Sequence, residues 1–185
     1  MKTLFKNILV LAVMLGTYTG YANEKLEVLP TFNNVKKGNS ITVTDAKGVI
    51  IFSGRINYEG NLSRLYDFTQ LKDGIYQVEV NKDYQIEISI VAVKGHTVSF
   101  INSESKKVFK PVFRVEGNTV IISKIAIDSP EMEIELYYDN ELIYSETAKG
   151  SQILNRVYKL DNSIKGEYSA VVKSNGRVYI KNFIL

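Results

Sequence analysis

The segment LKDGIYQVEV, residues 71–80, is followed about ninety residues later by a similar segment, IKGEYSAVV, residues 164–172. Each places a glycine two residues before a tyrosine, and apolar residues then recur at every second position. Alternation with a period of two is typical of a half-buried β-strand, and glycine favours the turn that precedes it. The repeated pattern predicts two related β-units in one chain.

The similarity extends beyond these two strands: two segments of about fifty residues each agree in the order and approximate spacing of their elements. In order, each copy contains a strand, a polar turn, a strand, a connection, a Gly turn and a closing pair of strands. The first copy comprises residues 41–53, 65–80 and 83–90, and the second comprises residues 134–145, 157–172 and 176–184.

Strand patterns dominate the chain, and no segment repeats apolar residues at helical spacing for three turns. In residues 83–90, for example, Tyr84, Ile86, Ile88 and Ile90 point to one side and polar residues to the other. We therefore predict an all-β fold of two tandem small antiparallel β-sandwiches of immunoglobulin-like type. The first sandwich is assigned to residues 23–105 and the second to residues 106–185.

The two glycine-tyrosine pairs are predicted to form the structural corners of these sandwiches. Gly74 and Gly166 are expected to adopt positive φ, which glycine tolerates without a steric cost. In immunoglobulin-like domains a tyrosine at such a corner buries its ring and bonds the upstream backbone through its hydroxyl. Tyr76 and Tyr168 are expected to act in this way.

The first 22 residues are predicted to be a signal peptide and not part of the fold. Lys2 and Lys6 give a basic start, residues 8–15 form an apolar core, and a small-x-small site predicts cleavage after Ala22. An apolar core of about eight residues is too short to serve as a membrane anchor. The sequence thus predicts an exported protein with a periplasmic, cell-surface or extracellular location.

Charge and cysteine content narrow the function classes. Without Lys2 and Lys6, 21 of the 23 basic residues remain against 20 acidic ones, a net charge of +1. A net charge this close to zero argues against nucleic acid as a partner and against binding to anionic lipid through a polybasic segment. The chain has no cysteine, so hydrophobic burial and not disulfides must stabilise an exported fold, unless a metal or a partner contributes.

The order V/I-x-V-x-D-x-x-G, then L-x-x-G-x-Y-x-V-x-V, then a Gly hairpin and a lysine-containing last strand resembles the C-terminal sorting domain of the type nine (Por) secretion system. Residues 131–185 match the pattern best, and residues 40–90 match it less completely. The resemblance implies that the small β-sandwiches are sorting-domain-like, a type of domain that directs cargo across the outer membrane. It also implies that Gly176, Lys181 and Phe183 contribute to sorting recognition.

No catalytic or metal-binding constellation is evident. His96 is the single histidine of the chain, so a surface role on a strand is favoured over a catalytic base, and a zinc site would rest almost wholly on carboxylates. No acidic segment shows the spacing of a calcium loop, and calcium binding stays open. The nearest acidic clusters are Asp139, Asn140 and Glu141, and Asp128, Glu131 and Glu133.

Two further surface features have candidate functional interpretations. Glu133 and Glu135 share one face of a strand at a spacing that glycoside hydrolysis could use, although their alternation with apolar residues favours solvent-facing charges. Exposed aromatic side chains suit carbohydrate or protein contact. The candidates are Tyr58, Tyr137, Tyr144 and Tyr179.

The sequence therefore predicts an exported, non-enzymatic β-sandwich protein with no cofactor and no assigned metal site, acting in binding, adhesion or structure through a protein or glycan partner. The first alternative is a type nine secretion cargo whose C-terminal sandwich is read by the secretion machinery. A lesser alternative is a carbohydrate-binding or carbohydrate-active protein.

Overall fold

A computed structural model describes residues 32–62, 67–101 and 105–185, and the predicted signal peptide with its cleavage site at Ala22 lies outside these ranges. The all-β prediction is confirmed, because the described residues form antiparallel strands and one short 3₁₀ helix. No helix among them has the length and apolar character that membrane crossing requires.

The strands fall into two groups that follow each other along the chain. The first unit contains β1 Phe32–Val35, β2 Ser40–Asp45, β3 Ile50–Arg55, β4 Gly60–Leu62, the 3₁₀ helix Phe68–Gln70, β5 Gly74–Asn81, β6 Gln85–Lys94, β7 Thr97–Phe100 and β8 Lys106–Phe109. The second unit contains β9 Val112–Glu116, β10 Thr119–Ile125, β11 Glu131–Tyr138, β12 Glu141–Lys149, β13 Ile153–Lys159, β14 Glu167–Ser174 and β15 Arg177–Ile184.

The first unit is built around a sheet with the order β3-β2-β5-β6-β7, in which β8 also pairs with β6. A two-stranded ladder of β1 and β4 and the 3₁₀ helix complete it. Because side chains of a strand alternate between faces, one face of β2 and β5 is continuously apolar and buried. The resulting core contains Val35, Ile41, Val43, Ile56, Phe68, Tyr76, Val78, Val80, Val91, Val93 and Val98.

The second unit packs a four-stranded sheet, β12-β11-β14-β15, with a three-stranded sheet, β13-β10-β9. One apolar cluster joins residues of both sheets, as expected when two sheets bury their inner faces against each other. Its buried members are Val120, Ile122, Ala126, Met132, Ile134, Leu136, Ala148, Leu154, Ala170 and Val172.

The two larger sheets share one strand order. The run β3-β2-β5-β6 corresponds to β12-β11-β14-β15, and every neighbouring pair is antiparallel in both. A register shift interrupts the first hairpin of each, after Val43 in β2 and after Leu136 in β11. Equivalent positions can therefore be compared directly, with Tyr76 corresponding to Tyr168.

The strand after the predicted division at residue 105 pairs with the first sheet. β8 runs antiparallel to β6, with Val108 opposite Ile86, and both side chains are buried. β9 is the first strand of the second unit. Where the chain divides into domains stays a prediction.

The face of β6 that points into the main core is not the one that the alternation of its sequence predicts. Ser89 and Val91 lie opposite Val78 and Tyr76 and share their buried face, although the apolar residues of 84–90 have the other parity. Ile86 is buried on the opposite face, and Tyr84 is exposed. The alternating apolar residues of 84–90 therefore lie on the face of β6 that points away from the main core.

Candidate interaction surface

Both tyrosine corners anchor the chain segment that precedes their strand. The hydroxyl of Tyr76 donates to the carbonyl of Lys72 at 2.9 Å, and that of Tyr168 donates to the carbonyl of Ile164 at 3.1 Å. In each case the acceptor lies four residues upstream and the ring is buried. Each ring thus contributes to its core while its polar end holds the incoming loop.

The corner glycines differ. Gly166 has a φ of +156°, and a Cβ there would lie 2.7 Å from Cε2 of Tyr138. The expectation of a positive φ at Gly74 is wrong, because Gly74 already belongs to β5 and pairs with Val93. A Cβ at Gly74 would meet the Tyr76 ring at 3.6 Å, an ordinary contact distance.

A charged cluster covers the outer face of the four-stranded sheet. Lys173 Nζ donates to Glu135 at 2.6 Å and to Glu133 at 3.2 Å, while the Tyr137 hydroxyl donates to the other oxygen of Glu135 at 2.8 Å. The bond from Lys173, followed by that from Tyr137, lowers the pKa of Glu135. The bonds to Glu135 and Glu133 raise the pKa of Lys173.

This electrostatic arrangement is the reverse of what a glycosidase acid needs. A general acid for glycoside hydrolysis requires a carboxyl group whose pKa is raised, so that it stays protonated. Glu135 has a lowered pKa and is held as a carboxylate by Lys173. The pair Glu133 and Glu135 therefore acts in a cross-strand ion-pair cluster.

A second polar cluster bridges the two sheets of the second unit. Glu146 on β12 accepts from the hydroxyl of Tyr158 at 2.5 Å and from Arg156 Nε at 3.2 Å, both on β13. The Tyr158 bond is the main cause of the lowered pKa of Glu146, whereas burial is the main cause of the raised pKa of Tyr158. The exposed Tyr144 ring lies 5.5 Å from that of Tyr158.

A buried ion pair lies where the two units meet, and sequence reasoning missed it. Lys124 Nζ contacts Asp128 Oδ1 at 2.7 Å, and both side chains are almost fully buried. The other oxygen of Asp128 accepts from the backbone N–H of Phe109 at 3.0 Å and from the side chain of Asn175. The available signal was the inward parity of Lys124, which follows the buried Val120 and Ile122 on β10.

A further ion pair connects the units at the start of the last strand. Arg177 of β15 contacts Glu79 of β5 at 2.7 Å. The hydroxyl of Tyr179 is buried with no hydrogen-bond partner among the described residues. Burial raises the pKa of Tyr179.

The three residues that the sorting-domain resemblance singles out occupy different environments. Gly176 lies in the β14–β15 turn with a φ of +67°, following Asn175 at +54°. Phe183 packs against the core, with its ring stacked 5.7 Å from that of Tyr168. Lys181 on β15 is exposed, as is Gly176, and it is the charged member of the set that a partner can reach.

The four candidate aromatics do not form one platform. Tyr58 follows β3, whereas Tyr137, Tyr144 and Tyr179 lie on β11, β12 and β15. Tyr58 and Tyr144 are exposed, while the hydroxyls of the other two are engaged or buried. A flat array of stacked rings is therefore not assembled from this set.

The histidine and acidic clusters have structural contacts. His96 lies in the β6–β7 turn with a φ of +64°, and its Nδ1 is 2.8 Å from the carbonyl oxygen of Thr69. Lysines pair with the acids of the second calcium candidate: Lys124 with Asp128, Lys149 with Glu131 and Lys173 with Glu133. Across residues 32–62, 67–101 and 105–185, no group of three His, Cys, Asp or Glu side chains has metal-binding geometry.

Two strand edges of the four-stranded sheet form the candidate interaction surface. β12 and β15 are the outer strands, and neither pairs with a further strand among the described residues. Ile180 and Ile184 on β15 are 63% and 75% exposed, and Leu142 on β12 is 55% exposed. Exposed apolar side chains beside free backbone donors and acceptors are typical of edges that add another strand.

No protein-family model and no curated protein matches the chain. Among solved structures it is similar to the BSP domain of a biofilm-associated protein, at a TM-score of 0.30 and 9% identity over 81% of this chain and 25% of that one. It is also similar to extracellular domains 3–5 of Drosophila OTK, at a TM-score of 0.24 and 8% identity over 87% of both chains. An amphioxus IgVJ-C2 molecule gives a TM-score of 0.22 and 10% identity over 85% of this chain and 96% of that one. The chain spans about a quarter of the length of the biofilm-associated chain.

Proposed function

We propose that the chain is an exported, non-enzymatic β-sandwich protein that acts as a binding, adhesion or structural module in the periplasm or at the cell surface. The carrying observation is that β12 and β15 each have one edge without a partner strand among the described residues, and that both present exposed apolar side chains. An edge of this kind is a surface for association.

The polar clusters favour the same function. Glu135 and Glu146 are each held as carboxylates by a cation and a tyrosine hydroxyl, which lowers their pKa values. Groups poised for proton transfer near neutral pH have pKa values shifted towards neutrality instead. These clusters therefore serve to connect neighbouring strands and sheets.

The second candidate function is that of a type nine secretion cargo whose second unit is its sorting domain. It is favoured by the exposed position of Lys181 on the last strand and by the Gly166–Tyr168 corner that precedes it. Carbohydrate binding is a lesser candidate, favoured by the exposed Tyr144 ring beside Tyr158.

Fractionation of cells tests the export part of the proposal. In a host with type nine secretion, the wild-type chain is expected in the periplasm or outside the cell, and a variant lacking residues 2–22 in the cytoplasm. Retention of the wild-type chain in the cytoplasm would contradict export. Lys181→Ala that folds normally but accumulates in the periplasm, with Lys47→Ala exported normally, would favour the sorting function.

Substrate panels test the non-enzymatic part. Ester, peptide and glycoside substrates are expected to show no turnover above buffer. Turnover that Glu135→Gln abolishes, with the fold intact by circular dichroism, would replace the proposal with a carbohydrate-active or hydrolytic function.

A further inference from the structure

The outer edges of β6 and β15 occupy equivalent positions in the two sheets but differ in whether another strand pairs with them. β6 corresponds to β15, and in the first unit its outer edge is covered by β8 along Gln85–Ile88 and by β7 along Val91–Lys94. β15 has no strand at that edge among the described residues. The first sheet therefore shows the kind of neighbour that this edge accepts, namely an antiparallel strand.

The open part of β15 is apolar and basic. Arg177 is engaged with Glu79, which leaves Lys181 as the exposed cation between Ile180 and Ile184. No acidic residue occurs from Arg177 to Ile184. A strand that pairs here is favoured by apolar side chains near the exposed isoleucines and by a negative charge near Lys181.

The opposite edge of the same sheet has these properties. β12 begins with the exposed Glu141, followed by Leu142, Ile143 and Tyr144, which are also exposed. Three antiparallel steps separate β12 from β15, so the two strands run in opposite directions. A second copy displaced sideways across the sheet therefore places its β12 antiparallel to β15 of the first.

We propose that the chain associates head to tail with copies of itself, β15 of one copy pairing with β12 of the next to extend the four-stranded sheet. The register across the sheet connects Lys181, Ala170, Leu136 and Tyr144 in one row. Continuing that row sets Lys181 opposite Tyr144 of the neighbour. The neighbour's Glu141 is then diagonal to Lys181, within reach of a long side chain.

Charge favours β12 of a second copy over two other edge strands of that copy, β15 and β3. A β15–β15 pair would bring two basic strands together without an acid. The β3 edge of the first unit exposes Ile50 and Ile51, but this strand carries Arg55 and no acid. Within the described edges of the larger sheets, β12 alone combines exposed apolar residues with an exposed carboxylate.

The interface is heterologous, since different surfaces meet, and such contacts produce open chains when rotation does not close them. One strand pair buries less than the roughly 1,200 Å² found in stable complexes. Association is therefore expected to be weak, to increase with protein concentration and to weaken with salt. It would suit a structural module at high local concentration.

This inference rests on the structural role proposed above, and charge reversal tests it separately. Sedimentation of the purified protein at increasing concentration is expected to show association that Lys181→Glu and Glu141→Lys each reduce at least tenfold. An equimolar mixture of the two variants is expected to restore it, because both new junctions pair opposite charges. Lys47→Glu, on an exposed turn of the first unit, is the control with the same charge change.

Introduced cysteines identify the strands that meet, because the chain has none of its own. Ile180 and Ser145 share one row across the sheet through Val171 and Glu135. Under oxidation, Ile180→Cys and Ser145→Cys are expected to crosslink when mixed and not when alone. Crosslinking of Ile180→Cys alone would identify a β15–β15 dimer and overturn the proposal.

Two other outcomes also overturn it. A wild-type protein that stays monomeric at every concentration lacks the interface. Greater association of Lys181→Glu would mean that Lys181 protects the edge from pairing. Neither outcome affects export or the absence of turnover, so failure of this inference is distinguishable from failure of the proposed function.

Discussion

The two units share a strand order and a tyrosine corner, but the second depends on more specific contacts than the first. In the first unit the corner glycine has room for a side chain and the neighbouring edge is covered by β7 and β8. In the second unit Gly166 lies against Tyr138, a lysine is buried with its partner, and no strand within the described ranges covers the edge of β15. A common topology thus tolerates different local solutions, and substitutions at equivalent positions should differ in cost.

The largest effect is expected from Asp128→Ala. Loss of this carboxylate leaves Lys124 buried without its charge partner and removes the acceptor of the Phe109 N–H. Removing one member of a buried ion pair costs about 3–5 kcal/mol. Denaturant titration should show this loss of unfolding free energy.

A double variant provides the control for that prediction. Lys124→Met combined with Asp128→Ala is expected to cost less than Asp128→Ala alone, because no unpaired charge stays buried. If the unfolding free energy of Asp128→Ala lies within about 1 kcal/mol of the wild-type value, the ion pair is not the contact that stabilises this junction.

The next largest effect is expected from Gly166→Ala, at about 2 kcal/mol. Its Cβ would overlap the Tyr138 ring, which is held by a hydrogen bond to the Lys165 carbonyl and packs 4.9 Å from the Tyr168 ring. The matched change Gly74→Ala is expected to stay within about 0.5 kcal/mol of wild type. Equal costs at the two glycines would remove the difference between the corners.

The tyrosine corners should respond alike. Tyr76→Phe and Tyr168→Phe each remove a bond from a hydroxyl to an upstream carbonyl and are expected to cost about 1 kcal/mol. Thermal or denaturant unfolding measures both. A neutral effect at one corner and a large effect at the other would show that the two equivalent hydrogen bonds contribute differently to stability.

The smallest effect concerns Glu146, which has no counterpart among the contacts described for the first unit. Its pKa is lowered from 4.5, so its contribution to stability is present above that value and declines as pH falls through and below it. Glu146→Gln should therefore lose less stability than wild type between about pH 5 and pH 3. Parallel pH profiles of the two proteins would contradict the assigned Tyr158 and Arg156 contacts.

Local chemistry made part of this structure predictable. Period-two alternation identified the strands as a class, and the Asn175–Gly176 turn has the two positive φ angles that its sequence favours. Both corner tyrosines bond a carbonyl four residues upstream. These features depend on a few neighbouring residues.

The remaining features depend on pairing between distant strands. Gly74 lies in an extended strand because it pairs with Val93, so the turn pattern around it did not determine its φ. β6 buries Ser89 and Val91 because they lie opposite the core residues of β5. Lys124 finds its partner beyond the end of its own strand, and the open edge of β15 is a property of the whole sheet.

Hydrogen exchange measured residue by residue tests the central claim most directly, namely that two sheets share an order and differ at one edge. Amides on both sides of β6 are expected to exchange slowly from Ile86 to Ile88, because β5 and β8 flank them. In β15, amides that face β14 should be protected, and those that point away should exchange much faster in dilute protein. Uniform protection along both edges of β15, or rapid exchange on the β8 side of β6, would contradict this account.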